Sequence, residues 1–256
     1  MPRLKLTIAY VGTRFSGWQL QDYKMKKQPR TVQGELEKAV HRLLGSHAGE
    51  APVRVFGAGR TDAGVHAEGQ VAHLDIPEGV RLEDWPRGFS ALLPHDMAVT
   101  SIAVVPPDFH ARMDATGKRY SYELWLDRSH LPPRLREFTW QTGPLDIAAM
   151  QQAVLPLIGQ HDFASFQNSG SEVKTTIRTI SAIHCEETGP SRLLWHFEAD
   201  GFLKQMVRNL MGLLVQVGQG KLDAARVPDF LEARNRQALP SPTAPAQGLT
   251  LMKVFY

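Results

Sequence analysis

The sequence has little cysteine and no long apolar run. Its one cysteine is Cys185, and a single thiol excludes an internal disulfide framework and a cysteine-rich zinc site. No apolar run approaches the ~18 residues that a membrane-spanning helix needs. The segment after Arg3 and Lys5 alternates between apolar and polar residues instead of forming the apolar core of a signal peptide. We therefore expect a cytoplasmic protein with no membrane partner.

The chain also has little excess of either charge, because 29 Lys and Arg residues against 26 Asp and Glu residues give a formal net charge of only +3. This excess does not by itself identify a polyanion as the partner. However, the first 30 residues contain seven basic residues against one acidic residue, a local net charge of +6. The run KMKKQPR, with Lys24, Lys26 and Lys27, is a candidate loop for contact with phosphates. A solvated surface loop explains the same run equally well.

The length of 256 residues, of which 43% are hydrophobic and 21% charged, excludes a disordered or fibrous chain and suggests one large domain or two smaller ones. A double proline, Pro106 and Pro107, is the candidate boundary. We predict an N-terminal half over residues 1–107 and a C-terminal half over residues 108–256.

Apolar periodicity predicts strands and helices in both halves. Residues 4–10 alternate, which is typical of a half-buried strand, and a helical stripe then begins after Thr31 as N-cap and stops at Gly45. The other predicted strands cover residues 53–56, 69–76, 98–105, 118–126, 175–185, 192–199 and 249–255. The other predicted helices cover residues 85–93, 147–158 and 203–217 and a short stretch after Pro228. Hairpin-like neighbours outnumber βαβ units, so we predict an α+β fold in which two similar halves share a largely antiparallel sheet with helices on one face.

The segment GAGRTDAGVH, residues 57–66, has three possible interpretations. It follows a predicted strand like a dinucleotide-binding loop, but Asp62 stands where the third glycine belongs and no helical stripe follows. Asp62, His66 and His73 form a weak candidate metal site, since no third ligand is well defined by the spacing. The third interpretation is a glycine turn in which Asp62 only caps backbone N–H groups.

Two features point beyond a simple turn. Arg60 and Asp62 lie two residues apart, where a turn can direct both side chains into one space. In the predicted helix over residues 203–217, Lys204 and Arg208 are the only charged side chains and are spaced four apart on one stripe. A buried arginine on such a helix is expected to pair with a carboxylate, and the alternative is that its side chain reaches solvent.

Seven motifs in the same order as in a known family make the sequence resemble the tRNA pseudouridine synthase A (TruA) family over almost its whole length. They are YVGTRFSGWQ (10–19), TVQGELEKAV (31–40), GRTDAGVHAEGQVAH (59–73), FHARMDATGKRYSY (109–122), HDFASF (161–166), GFLKQMVRNLMG (201–212) and TAPAQGL (243–249). Two departures are Val11, where the family usually has aspartate, and the longer basic segment before Thr31.

The resemblance implies the pseudouridine synthase fold and a role for each of four residues. Asp62 would be the catalytic aspartate and Arg208 its partner, Arg60 would help to flip the target base, and Tyr120 would stack on it. Without the resemblance, Tyr120 is equally a half-buried sheet residue, and Tyr122 has the same pattern. For Phe15 and Trp18 we predict packing in the core or at a dimer interface, and for His66 and His110 we predict hydrogen-bonded structural roles.

The resemblance also implies isomerisation of uridine to pseudouridine at positions 38, 39 and 40 in the anticodon arm of tRNAs, by a homodimer and without metal or nucleotide cofactor. Lys204, together with the lysines of the basic run, would contact the tRNA. Two other classes stay open: a catalytically silent protein that binds structured RNA, and a nucleotide-dependent oxidoreductase, which would bind NAD or FAD.

Overall fold

The computed structural model describes residues 1–20, 29–49, 52–170 and 173–256. Within these ranges the chain divides into two compact units. Unit 1 consists of Met1–Ala115 with Leu251–Tyr256, and unit 2 of Thr116–Thr250. The double proline, Pro106 and Pro107, directly follows the strand Met97–Val105. Its role as the boundary between two halves stays a prediction.

Strands and helices occur in both units, and the predicted α+β class is confirmed. The described strands are β1 (Arg3–Tyr10), β2 (Phe56–Gly57), β3 (His66–Asp75), β4 (Met97–Val105), β5 (Gly117–Trp125), β6 (Trp140–Gln141), β7 (Gly159–Asp162), β8 (Ile177–Gly189), β9 (Arg192–Ala199) and β10 (Leu249–Phe255). The described α-helices are α1 (Val32–Leu44), α2 (Trp85–Leu92), α3 (Ile147–Val154), α4 (Met206–Gly218) and α5 (Val227–Glu232). None of these helices is both long and apolar enough to cross a membrane.

The sheet of unit 1 is built around β1. Its strands run in the order β4-β1-β3-β10, and β2 also pairs with β3. β1 is antiparallel to both β3 and β4. Its side chains alternate between half-buried and buried, and Leu4, Leu6 and Ile8 are fully buried. The half-buried strand predicted at residues 4–10 is therefore confirmed, and its buried face packs in the core.

The helix α1 begins and ends where its capping residues predict. Thr31 has extended backbone geometry, and its side chain accepts a hydrogen bond from the N–H of Gly34 at 3.2 Å. Gly45 follows the last helical residue with a φ of +52°, in the left-handed region that glycine adopts without strain.

The strand predicted at residues 53–56 is wrong for most of its length, since β2 contains only Phe56 and Gly57. The N–H of Val55 donates to Oε1 of Glu37 at 3.0 Å, and its carbonyl oxygen accepts from Nε2 of Gln33 at 3.3 Å. Side chains of α1 thus satisfy the backbone groups that a longer strand would pair.

The sheet of unit 2 has the strand order β5-β9-β8-β7, with antiparallel neighbours throughout, and β6 lies parallel to β5. The buried face includes Tyr122, Trp195 and Phe197, which are all 0% exposed. The largely antiparallel character predicted from the hairpin-like spacing is confirmed in both units.

One helix of unit 2 is shorter than predicted. The helix expected over residues 147–158 ends at Val154, and a 3-10 turn at Leu155–Leu157 follows. Pro156 has no backbone N–H to continue an α-helical ladder, so the chain changes its hydrogen-bonding pattern there.

Candidate active site

The loop of residues 58–65 connects β2 to β3 in unit 1 and contains Arg60 and Asp62. Its base is fixed at two points. The N–H of Ala58 donates to the carbonyl oxygen of Val71 at 2.7 Å, and Nε2 of the fully buried Gln70 donates to the carbonyl oxygen of Gly59 at 3.0 Å. We call this segment the Asp62 loop.

A second loop, residues 11–19, lies against the Asp62 loop and is called the aromatic loop. Two hydrogen bonds join the loops: the N–H of Trp18 donates to the carbonyl oxygen of Thr61 at 3.0 Å, and the N–H of Gly64 donates to the carbonyl oxygen of Phe15 at 3.4 Å. The N–H of Gly12 donates to Nδ1 of His66, the first residue of β3, at 3.0 Å. Phe15 and Trp18 are 3% and 4% exposed. Of the two predicted packing roles, the core and a dimer interface, this burial within one chain supports the core.

Glycines allow the two loops to approach so closely. A Cβ on Gly12 would lie 2.0 Å from the carbonyl oxygen of Val65, and one on Gly17 would lie 2.7 Å from that of Thr61. Gly17 also has a φ of +93°, which side chains disfavour. The backbone around Asp62 therefore depends on two residues that the sequence places far away in the first motif.

Thr61 is held through its side chain as well as through its backbone carbonyl. Its Oγ1 shares a 2.8 Å hydrogen bond with the hydroxyl of Tyr10, and both residues are buried. Burial raises the pKa of Tyr10 to about 12, so the phenol is neutral at physiological pH. The side chain of Thr61 points into the core, while Arg60 before it is exposed and Asp62 after it is half-buried. A buried threonine thus separates the two charged side chains.

Two interpretations of the Asp62 loop do not fit this geometry. The loop leads directly into strand β3 instead of a helix, unlike a dinucleotide-binding turn. In the proposed metal set, Nδ1 of His66 accepts from Gly12 N–H, and Nδ1 of His73 accepts from the N–H of Ala111 at 3.1 Å. The described ranges contain no group of three or more side chains suited to a metal ion.

The histidines instead have the structural roles predicted for His66 and His110. Nδ1 of His110 accepts hydrogen bonds from the N–H groups of Arg112 and Met113, at 3.1 and 3.2 Å. Burial is the main cause that lowers the pKa of His73 to about 4, so its ring is neutral at physiological pH.

The structure distinguishes the two tyrosines of β5, which the pattern could not. Tyr122 is 0% exposed, and its hydroxyl donates to the carbonyl oxygen of Pro245 at 2.7 Å. Tyr120 is 9% exposed and packs edge-on against the ring of Phe202, with 5.2 Å between ring centroids. Tyr122 is therefore a core residue of unit 2, whereas Tyr120 lies at the margin of that core.

Arg208 lies on the first turn of α4 and is half-buried. Its Nε donates to the carbonyl oxygen of Ala244 at 2.7 Å, and the N–H of Ala244 donates back to the carbonyl oxygen of Arg208 at 3.1 Å. The segment containing Ala244 thus fixes the plane of the guanidinium.

Lys204 does not share a helical stripe with Arg208, and this prediction is wrong. The helix begins at Met206, and Gln205 before it has a left-handed φ of +60°. The N–H of Met206 closes a turn on the carbonyl oxygen of Leu203 at 3.1 Å, so Lys204 precedes the helix. Its Nζ donates to the carbonyl oxygen of Ser169 at 2.7 Å.

The basic run is only partly described. Lys24, Lys26 and Lys27 lie outside the described residues. Arg30 at its end forms two hydrogen bonds to the carboxylate of Asp96, at 2.8 and 2.6 Å, and its guanidinium lies 4.2 Å from the ring centroid of Phe15. Arg30 is therefore a structural residue next to the aromatic loop.

The sequence-based interpretation missed two hydrogen-bonded pairs: Tyr10 with Thr61 in unit 1, and Asn209 with Arg236 in unit 2. Only Asn209 gave a signal, as an amide within an apolar helix, and it is 0% exposed.

The predicted site residues are distributed over both units. Arg60 and Asp62 belong to unit 1, while Tyr120, Lys204 and Arg208 belong to unit 2. The pairing of Asp62 with Arg208 stays a prediction.

Comparisons with known proteins identify relatives over the full length. Proteins named tRNA pseudouridine synthase A are 51% identical in Nitratidesulfovibrio vulgaris strain Miyazaki F and 50% identical in Lawsonia intracellularis, each covering 100% of both chains. The protein of that name in Oleidesulfovibrio alaskensis is 52% identical and covers 100% of this chain and 97% of its own. A solved archaeal box H/ACA sRNP Nop10-Cbf5 complex is similar at 12% identity, with a TM-score of 0.35 and coverage of 96% of this chain and 46% of that chain.

A family model described as tRNA pseudouridine synthase matches residues 6–114 and 153–256, which include the Asp62 loop, the aromatic loop and α4. Together with relatives that are at least half identical from end to end, this match shows that the chain belongs to the tRNA pseudouridine synthase family of isomerases.

Proposed function

We propose that this protein converts uridine to pseudouridine at positions 38, 39 and 40 in the anticodon stem-loop of tRNAs, with Asp62 as the catalytic carboxylate. The observation that carries the assignment to Asp62 is the restraint of the preceding residue. Thr61 is held through its carbonyl oxygen by Trp18 and through its hydroxyl by Tyr10. A catalytic group gains from such preorganisation of its backbone.

The residue types suit the chemistry of this isomerisation. The N1–C1′ glycosidic bond breaks, the uracil turns, C5 bonds to C1′, the proton on C5 leaves and N1 takes up a proton. The product has the same composition as the substrate, so no redox cofactor is required. A glycosidase needs a second carboxylate to activate water, whereas here the uracil itself is the acceptor.

Three actions of Asp62 are compatible with this scheme: attack on the sugar, attack on the base, and removal of the C2′ proton. Each requires the carboxylate anion. We propose that Arg208 pairs with this anion in the assembled site, because a guanidinium stabilises a carboxylate that is shielded from water.

The target uridine lies in or beside a stem and has to leave the stack, which costs a few kcal/mol. We propose that Arg60 takes the place of the extruded base, since a planar guanidinium can stack on its neighbours. Tyr120 would form an aromatic platform for the uracil. Its position at the margin of the core of unit 2 supports this role better than a fully buried position would.

The partners follow from the same proposal. Lys204 and the basic run with Lys24, Lys26 and Lys27 would contact the tRNA backbone, and recognition of several neighbouring positions implies that tRNA shape is read in preference to base sequence. A homodimer and a cytoplasmic location stay predictions, from the family resemblance and from the single cysteine.

The test is to incubate the purified protein with an unmodified tRNA transcript whose uridines carry tritium at C5. Isomerisation at C5 releases tritium to water, and mapping of pseudouridine then gives the positions. A transcript with cytidine at positions 38 to 40 is the matched control and should release nothing. Binding without release would favour a catalytically silent RNA-binding protein, and release from other uridines would contradict the proposed positions.

A further inference from the structure

A segment of unit 2, residues 239–245, lies along the N-terminal half of α4, and we call it the strap. Its Ala244 exchanges two hydrogen bonds with Arg208, one through Nε of the side chain and one through the backbone carbonyl. One turn further along α4, a Cβ on Gly212 would lie 2.0 Å from the carbonyl oxygen of Pro242. The strap therefore touches the helix backbone directly, and its position determines where the Ala244 carbonyl meets Arg208.

The guanidinium of Arg236 holds the strap at alternate residues. Its Nη1 donates to the carbonyl oxygen of Leu239 at 3.1 Å, and its Nη2 donates to the carbonyl oxygen of Ser241 at 3.2 Å. Nη2 also lies 3.5 Å from Oγ1 of Thr243, the residue before Ala244. A planar fork of donors can serve several acceptors at fixed angles, which a single ammonium cannot do.

The same guanidinium is connected to α4 through two asparagines. Its Nε donates to Oδ1 of Asn168 at 3.0 Å, and Nδ2 of Asn209 donates to the same oxygen at 2.9 Å. Oδ1 of Asn209 accepts from Oγ1 of Thr243 at 2.7 Å. Asn209 is 0% exposed and directly follows Arg208, so the network ties the strap to the helix beside the arginine.

The partners of Arg236 are all neutral. Among the ion pairs of the described residues, none includes Arg236, and burial lowers the pKa of its guanidinium. Arg236 is half-buried, and partial burial of a guanidinium without a carboxylate has a cost that neutral acceptors offset only in part. Nη2 also lies 3.5 Å from Oδ1 of Asn209, so three donor contacts go to the strap, one to α4 and one to Asn168. This arrangement indicates that the residue fixes geometry more than it adds stability.

We infer that Arg236 is a positioning residue for the isomerisation: it fixes the strap, the strap fixes the Ala244 carbonyl, and that carbonyl fixes the guanidinium plane of Arg208. The inference rests on the proposed function, in which Arg208 stabilises the catalytic carboxylate. Arg236 acts through Arg208 and does not itself touch the substrate. Its loss should therefore slow the chemical step and leave tRNA affinity nearly unchanged.

The test is a double-mutant cycle of Arg236→Gln and Arg208→Gln, read by the single-turnover rate of tritium release at saturating enzyme, with the Kd for tRNA measured separately. We expect Arg236→Gln alone to slow the step by about 10- to 100-fold with Kd within about 3-fold. In the Arg208→Gln background the same change should slow it by less than about 3-fold, because the group to be positioned is gone. Arg236→Lys should be as slow as Arg236→Gln.

Arg226→Gln is the matched control, since this exposed arginine of the same unit pairs with Asp229 at 3.4 Å and packs over the ring of Phe230. Neither partner belongs to the strap. It should leave the rate unchanged. If Arg236→Gln does not fold, Thr243→Val removes one contact of Arg236 and one of Asn209 and enters the same cycle.

Three outcomes would overturn the inference, and a fourth bears on the proposed function. An equal loss of rate in both backgrounds, or a loss confined to Kd, shows that Arg236 does not act through Arg208. A wild-type rate for Arg208→Gln shows that there is nothing to position. Absence of tritium release from the wild-type protein instead overturns the proposed function itself, so the two failures are distinguishable.

Discussion

The backbone N–H of Trp18 donates a 3.0 Å hydrogen bond to the carbonyl oxygen of Thr61, so the aromatic loop holds the residue directly before Asp62. The same residue also contacts α1, because the carbonyl oxygen of Trp18 accepts a hydrogen bond from the N–H of Gln33 at 3.0 Å. The restraint on the Asp62 loop is thereby transmitted to a capped helix, which explains how a short loop without regular structure keeps one conformation.

We predict that Asp62→Asn abolishes pseudouridine formation and leaves tRNA affinity within about 3-fold, because the change removes the anion but almost no volume. Tritium release and a filter-binding Kd measure the two effects. Glu68→Gln, at an exposed position of β3, is the control for loss of a carboxylate in unit 1. Isomerisation by the Asn protein at a comparable rate would show that Asp62 is not the catalytic group.

Tyr10→Phe should destabilise the protein and slow the reaction, since Thr61 then loses its buried hydroxyl partner. The loss of one such hydrogen bond costs about 1 kcal/mol, and the unpaired Thr61 hydroxyl adds to this cost. Urea unfolding of Tyr10→Phe, Thr61→Val and the double variant measures the coupling. Additive changes in the free energy of unfolding would mean that the two hydroxyls do not interact.

Gly17→Ala tests the close approach of the two loops, and Gly79→Ala is its matched control. Both glycines have left-handed backbones, with φ of +93° and +80°, but a Cβ meets the Thr61 carbonyl at 2.7 Å in the first case and nothing within 4 Å in the second. Both alanines should cost about 1 kcal/mol for the backbone conformation. Only Gly17→Ala should also reduce the isomerisation rate, and equal rates for the two variants would contradict the role assigned to the contact.

The Arg30–Asp96 pair should make stability depend on acid pH. The Arg30 guanidinium lowers the pKa of the Asp96 carboxyl below its usual value. A lowered carboxyl pKa stabilises the fold above the unfolded-state pKa of about 3.9, and this contribution is lost as the pH falls through the folded-state pKa. We therefore expect Asp96→Asn to be less stable than wild type by about 1–3 kcal/mol at pH 7.

That difference should shrink as the pH falls below about 4, because protonated Asp96 then resembles asparagine. Chemical unfolding at a series of pH values measures it. Glu83→Gln is the control, since its pair with Arg81 is 73% and 82% exposed and should contribute little at any pH. A constant difference between wild type and Asp96→Asn across the series would exclude the linkage.

Lys26→Gln and Lys27→Gln should weaken tRNA binding without changing the single-turnover rate at saturation. Each lysine that contacts a phosphate contributes about one unit to the slope of log K against log salt concentration. Titration at several salt concentrations measures the slope. Lys38→Gln, an exposed lysine of α1 that pairs with Glu35, is the control. Unchanged slopes for both variants would remove the basic run from the proposed interface.

Local signals in the sequence were sufficient for elements whose residues agree with their surroundings. The alternation of residues 4–10 predicted β1, and Thr31 with Gly45 predicted the ends of α1, because these choices depend on backbone geometry within a few residues. The prediction at residues 53–56 was wrong, since Glu37 and Gln33 compete for the Val55 backbone from a distant helix. No local pattern contains that information.

The same limit applies to the candidate site. The motif with Arg60 and Asp62 was visible because glycines and opposite charges occur together within a few residues. The hydrogen bond that holds Thr61 through Tyr10, and the one that links Arg236 to Asn209 beside Arg208, join residues 51 and 27 positions apart in the chain. The four-residue spacing of Lys204 and Arg208 predicts a shared helix, but the helix begins only at Met206, after the left-handed Gln205.

The assignment of Leu251–Tyr256 to unit 1 has a consequence for protein synthesis. In unit 1, β10 lies beside β3. A Cβ on Gly69 of β3 would lie 2.3 Å from the carbonyl oxygen of Met252, so the two strands are in close contact and no larger residue fits at position 69. The ribosome makes those six residues only after all of Thr116–Thr250. The sheet around the Asp62 loop therefore stays one strand short until the whole of unit 2 has been synthesised.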